Sequence, residues 1–99
     1  MESDVVFAPE AERDILELYD YVAEHSGAAR AIAYTERIVD TCRGFSMFPE
    51  RGTRRDDLRP GLRITGFDRR LTIAFHVTRD RVTIDRVLYG GRDLGRAFE

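Results

Sequence analysis

The hydrophobic period of this chain changes once, and that change divides it. Up to about residue 46 the apolar side chains recur at helical spacing, and from about residue 62 they alternate. Such a chain cannot be all helix or all strand; it has to lay helices against a sheet. In the first half, Ala11, Ile15, Leu18, Tyr19 and Val22 make one apolar stripe, which predicts a helix over about residues 9–25. Pro9 suits its first turn, where no N–H is needed, and Glu10, Glu12 and Asp14 lie near the positive end of its dipole. His25 falls in the last turn as a cap, and Gly27 is a natural stop. Ala28, Ala31, Ile32, Thr35, Ile38, Val39 and Cys42 continue the same period as a second helix to about residue 46. So short a connection folds the two into an antiparallel hairpin.

Strands account for the rest. Asp4–Ala8 is short, apolar and β-branched, which suits a first strand. Residues 49–61, with two Pro and two Gly, read as a loop. Beyond it, Leu71, Ile73, Phe75 and Val77 alternate with Thr72, Ala74, His76 and Thr78, as in a half-buried strand. Arg79-Asp80 is a tight turn into a strand over residues 81–89, and Leu62–Phe67 forms the strand before both. The predicted order is β-α-α-β-β-β. This is an α+β fold, one domain over residues 1–99, with the helical hairpin on one face of a small, mostly antiparallel sheet. Gly90-Gly91 ends the last strand, leaving a tail that forms a short helical turn or stays mobile.

Charge follows the same division. The first 50 residues carry 11 acidic side chains and 4 arginines, the last 49 carry 12 arginines and 7 acids, and there is no Lys. The net charge of −2 therefore hides a polarity that calls for a partner with its own charge pattern. Arginines serve phosphates, but they also form bidentate pairs with the carboxylates of an acidic protein segment. The net acidity, the lack of Lys and the scarcity of aromatics interleaved with Arg favour the protein partner.

Other classes are excluded more simply. No apolar run approaches the ~20 residues needed to span a bilayer, and no signal-like stretch opens the chain. The single Cys42 forbids an internal disulfide and sits on the apolar stripe, so a buried thiol in a reducing, cytoplasmic setting is expected. One Cys and two His without CxxC or HExxH spacing offer no metal site, and no motif calls for a cofactor. RNA cleavage needs a base, an acid and a cation for the phosphate charge. His76, Tyr89 and Arg63, Arg69, Arg70 and Arg86 are the residue types for it. The reading of the same residues as a polar sheet face for solubility and partner contact is preferred, because no spacing fixes an acid–base pair among them.

Four segments resemble the RelE/ParE toxin superfamily. Pro9-Glu10-Ala11-Glu12-Arg13-Asp14-Ile15 with Leu18-Tyr19-Asp20-Tyr21-Val22 is similar to its first helix. Phe48-Pro49-Glu50-Arg51-Gly52 is similar to its Phe-Pro-x-x-Gly connection, and Pro60-Gly61-Leu62-Arg63 to the start of its second strand. Arg86-Val87-Leu88-Tyr89-Gly90-Gly91-Arg92-Asp93 resembles the closing strand of the ParE branch. The resemblance implies the toxin of a bacterial type II toxin–antitoxin pair. In the ParE branch this means a DNA gyrase inhibitor that is not itself an enzyme and does not bind DNA directly. A ParD-like antitoxin would neutralise it in a complex of two toxins and two antitoxins, or larger. The alternative is a RelE-like ribosome-dependent mRNA endoribonuclease, or mRNA interferase, with His76, Tyr89 and Arg86 as its catalytic set. Tyr89 stands where many ParE-like chains have His, which keeps that alternative open. Tyr19, Val22, Ile32, Ile38, Arg63, Arg69 and Arg70 are the expected antitoxin contacts, although the four apolar ones suit the core equally. Arg86, Tyr89 and Arg92 are the expected target contacts.

Overall fold

The computed structural model describes residues 4–90 and 94–99. Strand β1 (Asp4–Phe7) leads through Ala8 into helix α1 (Pro9–Ser26), and α2 (Ala28–Arg43) follows after the single residue Gly27. A 3₁₀ turn, Gly44–Ser46, extends α2. Then come β2 (Thr53–Arg54), β3 (Leu62–Phe67), β4 (Leu71–Thr78), β5 (Arg81–Tyr89) and a four-residue α3 (Leu94–Ala97). The strands lie in the order β1-β5-β4-β3-β2. All pairings are antiparallel except β1 with β5, which is parallel. The α+β arrangement is the one the periodicity predicts. The two-residue β2 lies inside the stretch expected to be loop; Thr53 and Arg54 carry no apolar alternation to announce it.

Local chemistry fixes the hairpin. Pro9 occupies the first turn of α1 beside Glu10 and Glu12, and the Glu12 N–H donates to the Ala8 carbonyl at 3.1 Å. At the other end His25 Nδ1 donates to the Tyr21 carbonyl at 2.8 Å, the capping role expected of it. Gly27, at φ +92°, closes α1 through its N–H to the Ala23 carbonyl and opens α2 by accepting from the Ala31 N–H. One residue does both jobs because glycine adopts this backbone without a Cβ clash.

The core lies between hairpin and sheet. Ala11, Leu18, Ile38, Cys42 and Phe45 meet Leu71, Ile73, Phe75, Val82, Ile84 and Val87, with the Phe45 and Phe75 rings 4.8 Å apart. Cys42 is fully buried, and burial pushes its thiol up to about 12. The α2 stripe is rotated from the predicted one. Ala31, Ile38 and Cys42 are buried, whereas Ala28 is exposed and Ile32 is 47% exposed. The opposite face of the sheet is less open than alternation implies. Leu62, Ala74 and Leu88 are buried there, so His76 has apolar neighbours on its own face.

Gly52 shows why the Pro49–Gly52 turn carries a glycine. Its φ is +77°, and a Cβ there would stand 2.3 Å from the Ile64 carbonyl oxygen, a backbone atom that cannot step aside. Gly52→Ala is expected to cost about 2–3 kcal/mol in urea unfolding, from overpacking together with a strained backbone. A change under half a kcal/mol would show that the turn is not held against β3. For Cys42, iodoacetamide at pH 8 should alkylate the folded protein at least about a hundredfold more slowly than the urea-unfolded chain. Equal rates would mean that the thiol is not enclosed.

Candidate partner-binding surface

One carboxylate organises the end of the sheet that carries the closing strand. Beyond Ile84, β5 has no β1 residue beside it, because β1 ends at Phe7. Its pairing with β4 also slips between Ala74 and Phe75, which leaves Asp85 as an extra, unpaired residue in a bulge. Asp14 of α1 fills the gap. It accepts from the Val87 N–H at 2.9 Å and from Arg86 Nε and Nη2 at 2.7 and 3.0 Å. The Asp14 side chain is 4% exposed and that of Arg86 23%. The hydrogen bonds to Asp14 hold the Arg86 guanidinium above its ordinary value. Arg86, expected as a target or catalytic contact, is thus engaged in joining α1 to β5. The same bulge turns Asp85 toward His76, whose Nδ1 lies 2.7 Å from the buried Asp85 carboxylate.

The three residues of the RNA-cleavage reading do not form one constellation. Tyr89 pairs with Leu71, and His76 lies five residues further along β4, roughly 17 Å away at ~3.4 Å per residue. The two also alternate to opposite faces of the sheet. Arg86 is turned to Asp14.

Other arginines gather elsewhere, in two places. The first is a concave basin of about 750 Å³ where the connection after α2 meets the ends of β3 and β4. Arg51, Arg54, Arg63 and Arg79 line it, together with Met47 and Phe48. These last two are 58% and 67% exposed, large apolar side chains presented to solvent. The guanidinium of Arg51 stacks 4.8 Å above Phe45 and 6.0 Å from Phe48 while its Nε donates to the Phe48 carbonyl. Arg63 Nη1 donates to the Arg51 carbonyl at 3.3 Å. Arg54 meets Asp56 at 3.1 Å, an exposed pair that a competing carboxylate can replace. Hydrogen bonds from the Gly61 N–H and then Arg54 hold Asp56 below the usual carboxylate range. The basin borders β2, which among the described residues pairs only with β3 and ends the sheet.

The second gathering is at the opposite end of β3. Arg69 and Arg70 follow Phe67 in the turn to β4, six or more residues from Arg63. The expected antitoxin set is therefore split between two ends of the sheet. Of its apolar members, Ile38 is fully buried in the core and cannot touch a partner, which corrects that expectation. Its i to i+4 spacing with Cys42 placed it on the side of α2 that faces the sheet. Tyr19 and Val22 are half-buried on α1, and Ile32 is exposed on α2. Tyr89 is half-buried near Tyr21, and Arg92 lies outside the described residues. Asp85, Met47, Phe48, Arg51 and Arg79 were not among the site residues expected from the sequence, although Phe48, Arg51 and Arg79 lie in the connection and the turn read there. Phe48 and Arg51 had a signal, since an apolar side chain and a cation flank Pro49 within a polar loop.

A sequence model of the ParE toxin of type II toxin–antitoxin systems, parDE, matches residues 5–94. This chain belongs to the ParE toxin family. The fold agrees. A structure of the chromosomal ParDE toxin–antitoxin system from P. aeruginosa superposes with a TM-score of 0.78 at 20% identity, covering 90% of this chain and 97% of that one. The RelBE2 toxin–antitoxin complex from Mycobacterium tuberculosis gives 0.65 at 18% identity, with 93% and 95% covered. A search of curated protein sequences finds no match. Among the described residues no helix is long and apolar enough to cross a membrane, and no cluster of ligating side chains could hold a metal ion.

The Asp14–Arg86 pair gives this ParE-family chain a clear test. Asp14→Ala and Arg86→Ala should each lower stability by about 2–4 kcal/mol, and the double variant by much less than their sum, because the two act as one unit. Strict additivity in urea unfolding would show that they do not cooperate.

Proposed function

We propose that this protein is a toxin that acts by binding, not by catalysis, with DNA gyrase as its target and a cognate ParD-like antitoxin as its neutralising partner. The observation that carries the reading is the basin of Arg51, Arg54, Arg63 and Arg79 around exposed Met47 and Phe48. It suits an acidic protein segment with apolar anchors, through bidentate guanidinium–carboxylate pairs at a partly apolar surface. The adjoining sheet edge at β2 suits the addition of a strand from the same segment. Family membership supports the antitoxin partner, and assembly as two toxins with two antitoxins is part of the reading.

Purified protein should inhibit gyrase supercoiling, and stoichiometric antitoxin should relieve the inhibition. Arg51→Ala with Arg63→Ala should weaken the antitoxin complex at least tenfold, with a shallower salt dependence. Supercoiling untouched at high excess of toxin would remove the gyrase target. Unchanged antitoxin affinity in the double variant would move the partner away from the basin.

A second reading has one observation in its favour. His76 is held at Nδ1 by a buried carboxylate, which leaves Nε2 as the atom available to take a proton, the arrangement of an oriented general base. Under that reading the protein cuts messenger RNA on the ribosome. Toe-printing in translating extracts separates the two. Cuts that vanish in His76→Ala would establish the nuclease and displace gyrase.

A further inference from the structure

The cavity between the closed end of the helical hairpin, around Gly27, and the β3–β4 turn is chemically different from the basin. It has a volume of about 440 Å³, within the range of small-molecule sites, and is open to solvent on one side. Three guanidiniums reach it: Arg30 and Arg37 from α2, and Arg70 from the turn. None of the three is paired with a carboxylate among the described residues. Asp68 is the one acid in the lining, so the cavity carries an excess of two positive charges. That matches the charge of a phosphate monoester near neutral pH, about −1.5 to −2.

One wall is aromatic. The rings of Tyr21 and His25 stack with centroids 4.1 Å apart, and Tyr89 follows 5.9 Å from Tyr21. Tyr21 is half exposed although it is a large ring, and it lines the cavity with His25 and Tyr89. Behind the arginines lies Tyr34. Its hydroxyl is buried with no hydrogen-bond partner among the described residues. Burial first, and then the Asp68 charge, raise its phenol above the ordinary value, so it stays a donor in need of an acceptor.

The turn that supplies Asp68 and Arg70 is strained. The Arg70 N–H closes it on the Phe67 carbonyl at 3.1 Å, and both central residues have positive φ, 54° for Asp68 and 57° for Arg69. Type I′ turns ask for glycine or asparagine in those places, and an Asp-Arg pair adopts the shape at a cost. That cost sets Arg70 at the mouth of the cavity, and the Arg70 carbonyl in turn accepts from the Gly90 N–H at 2.8 Å, beside Tyr89.

We propose that this cavity binds an aromatic phosphate of the nucleotide class, with the phosphate among Arg30, Arg37, Arg70 and the Tyr34 hydroxyl and the base against the Tyr21–His25–Tyr89 wall. The volume and the ring wall fit a base plus a phosphate better than an inorganic anion. The smaller volume suits a small ligand, and an acidic peptide has the larger basin at the other end of the sheet.

The test is calorimetric titration of the full chain in phosphate-free buffer. The probes are AMP, UMP, adenosine, inorganic phosphate and a 5′-phosphorylated dinucleotide. A mononucleotide should bind in the micromolar range, with adenosine and phosphate each at least tenfold weaker. Arg30→Ala with Arg70→Ala, both exposed positions, should weaken binding at least tenfold with an unchanged circular dichroism spectrum. Tyr34→Phe should weaken it about tenfold without loss of stability, since it removes an unsatisfied buried hydroxyl. A dinucleotide that binds at the same residues more tightly than AMP would make the end of a strand the source of the same phosphate–base chemistry. Binding of AMP no tighter than inorganic phosphate would overturn the proposal, as would indifference to the arginine and tyrosine changes. Competition by a carboxylate peptide where nucleotides fail would assign the cavity to a protein partner and overturn it equally.

Discussion

The Asp14 carboxylate is the point at which the two halves of this molecule are joined. Hydrophobic contact between hairpin and sheet is extensive but non-directional. A buried anion that accepts one backbone N–H and two guanidinium N–H groups tolerates very little displacement. It fixes α1 against β5 just where β1 stops and where the β4 register slips. The bulge that frees Arg86 for this contact also delivers Asp85 to His76 on the other face. Two buried carboxylates of this chain are thus explained by one irregularity in one strand.

Much of the architecture was legible because each element follows the period of its apolar residues. Pro9, Gly27 and the Arg79-Asp80 turn punctuate the chain where they are expected to, and the helix and strand limits follow them closely. Three things escaped. The strand β2 is too short for alternation to register, and it exists because Gly52 brings the chain onto β3. The rotation of the α2 stripe was hidden because Ala28, Ala31, Ile32 and Thr35 are compatible with more than one face. The bulge left no mark, since Asp85-Arg86 reads as an ordinary polar interruption between Ile84 and Val87. Asp14 did leave one: it lies three residues after Ala11 and four before Leu18, on the stripe itself, where an acid needs a cation.

The arginines of the second half prove to be of several kinds. Arg86 is a fastening; Arg54 and Arg55 sit in exposed pairs with Asp56 and Asp57; Arg59 stacks on Phe98 and ties the tail to the turn before β3. Of the others, Arg51, Arg63 and Arg79 line the basin at one end of the sheet, and Arg70 reaches the hairpin cavity at the other. Charge asymmetry along the chain announced that a positive surface would exist. Only the strand order could divide it, because Arg63 and Arg70 are close in sequence but stand at opposite ends of a hairpin arm.

The parallel pairing of β1 with β5 has a consequence for how the molecule comes into being. Among the described residues β1 has its neighbour only in β5, so the sheet cannot be completed until strands far apart in the sequence meet. Until then the hairpin has helical propensity but no surface on which to rest Leu18, Ile38 and Phe45. Whatever the protein acts on, the five-stranded sheet that carries both arginine-lined hollows is complete only when β5 is in place.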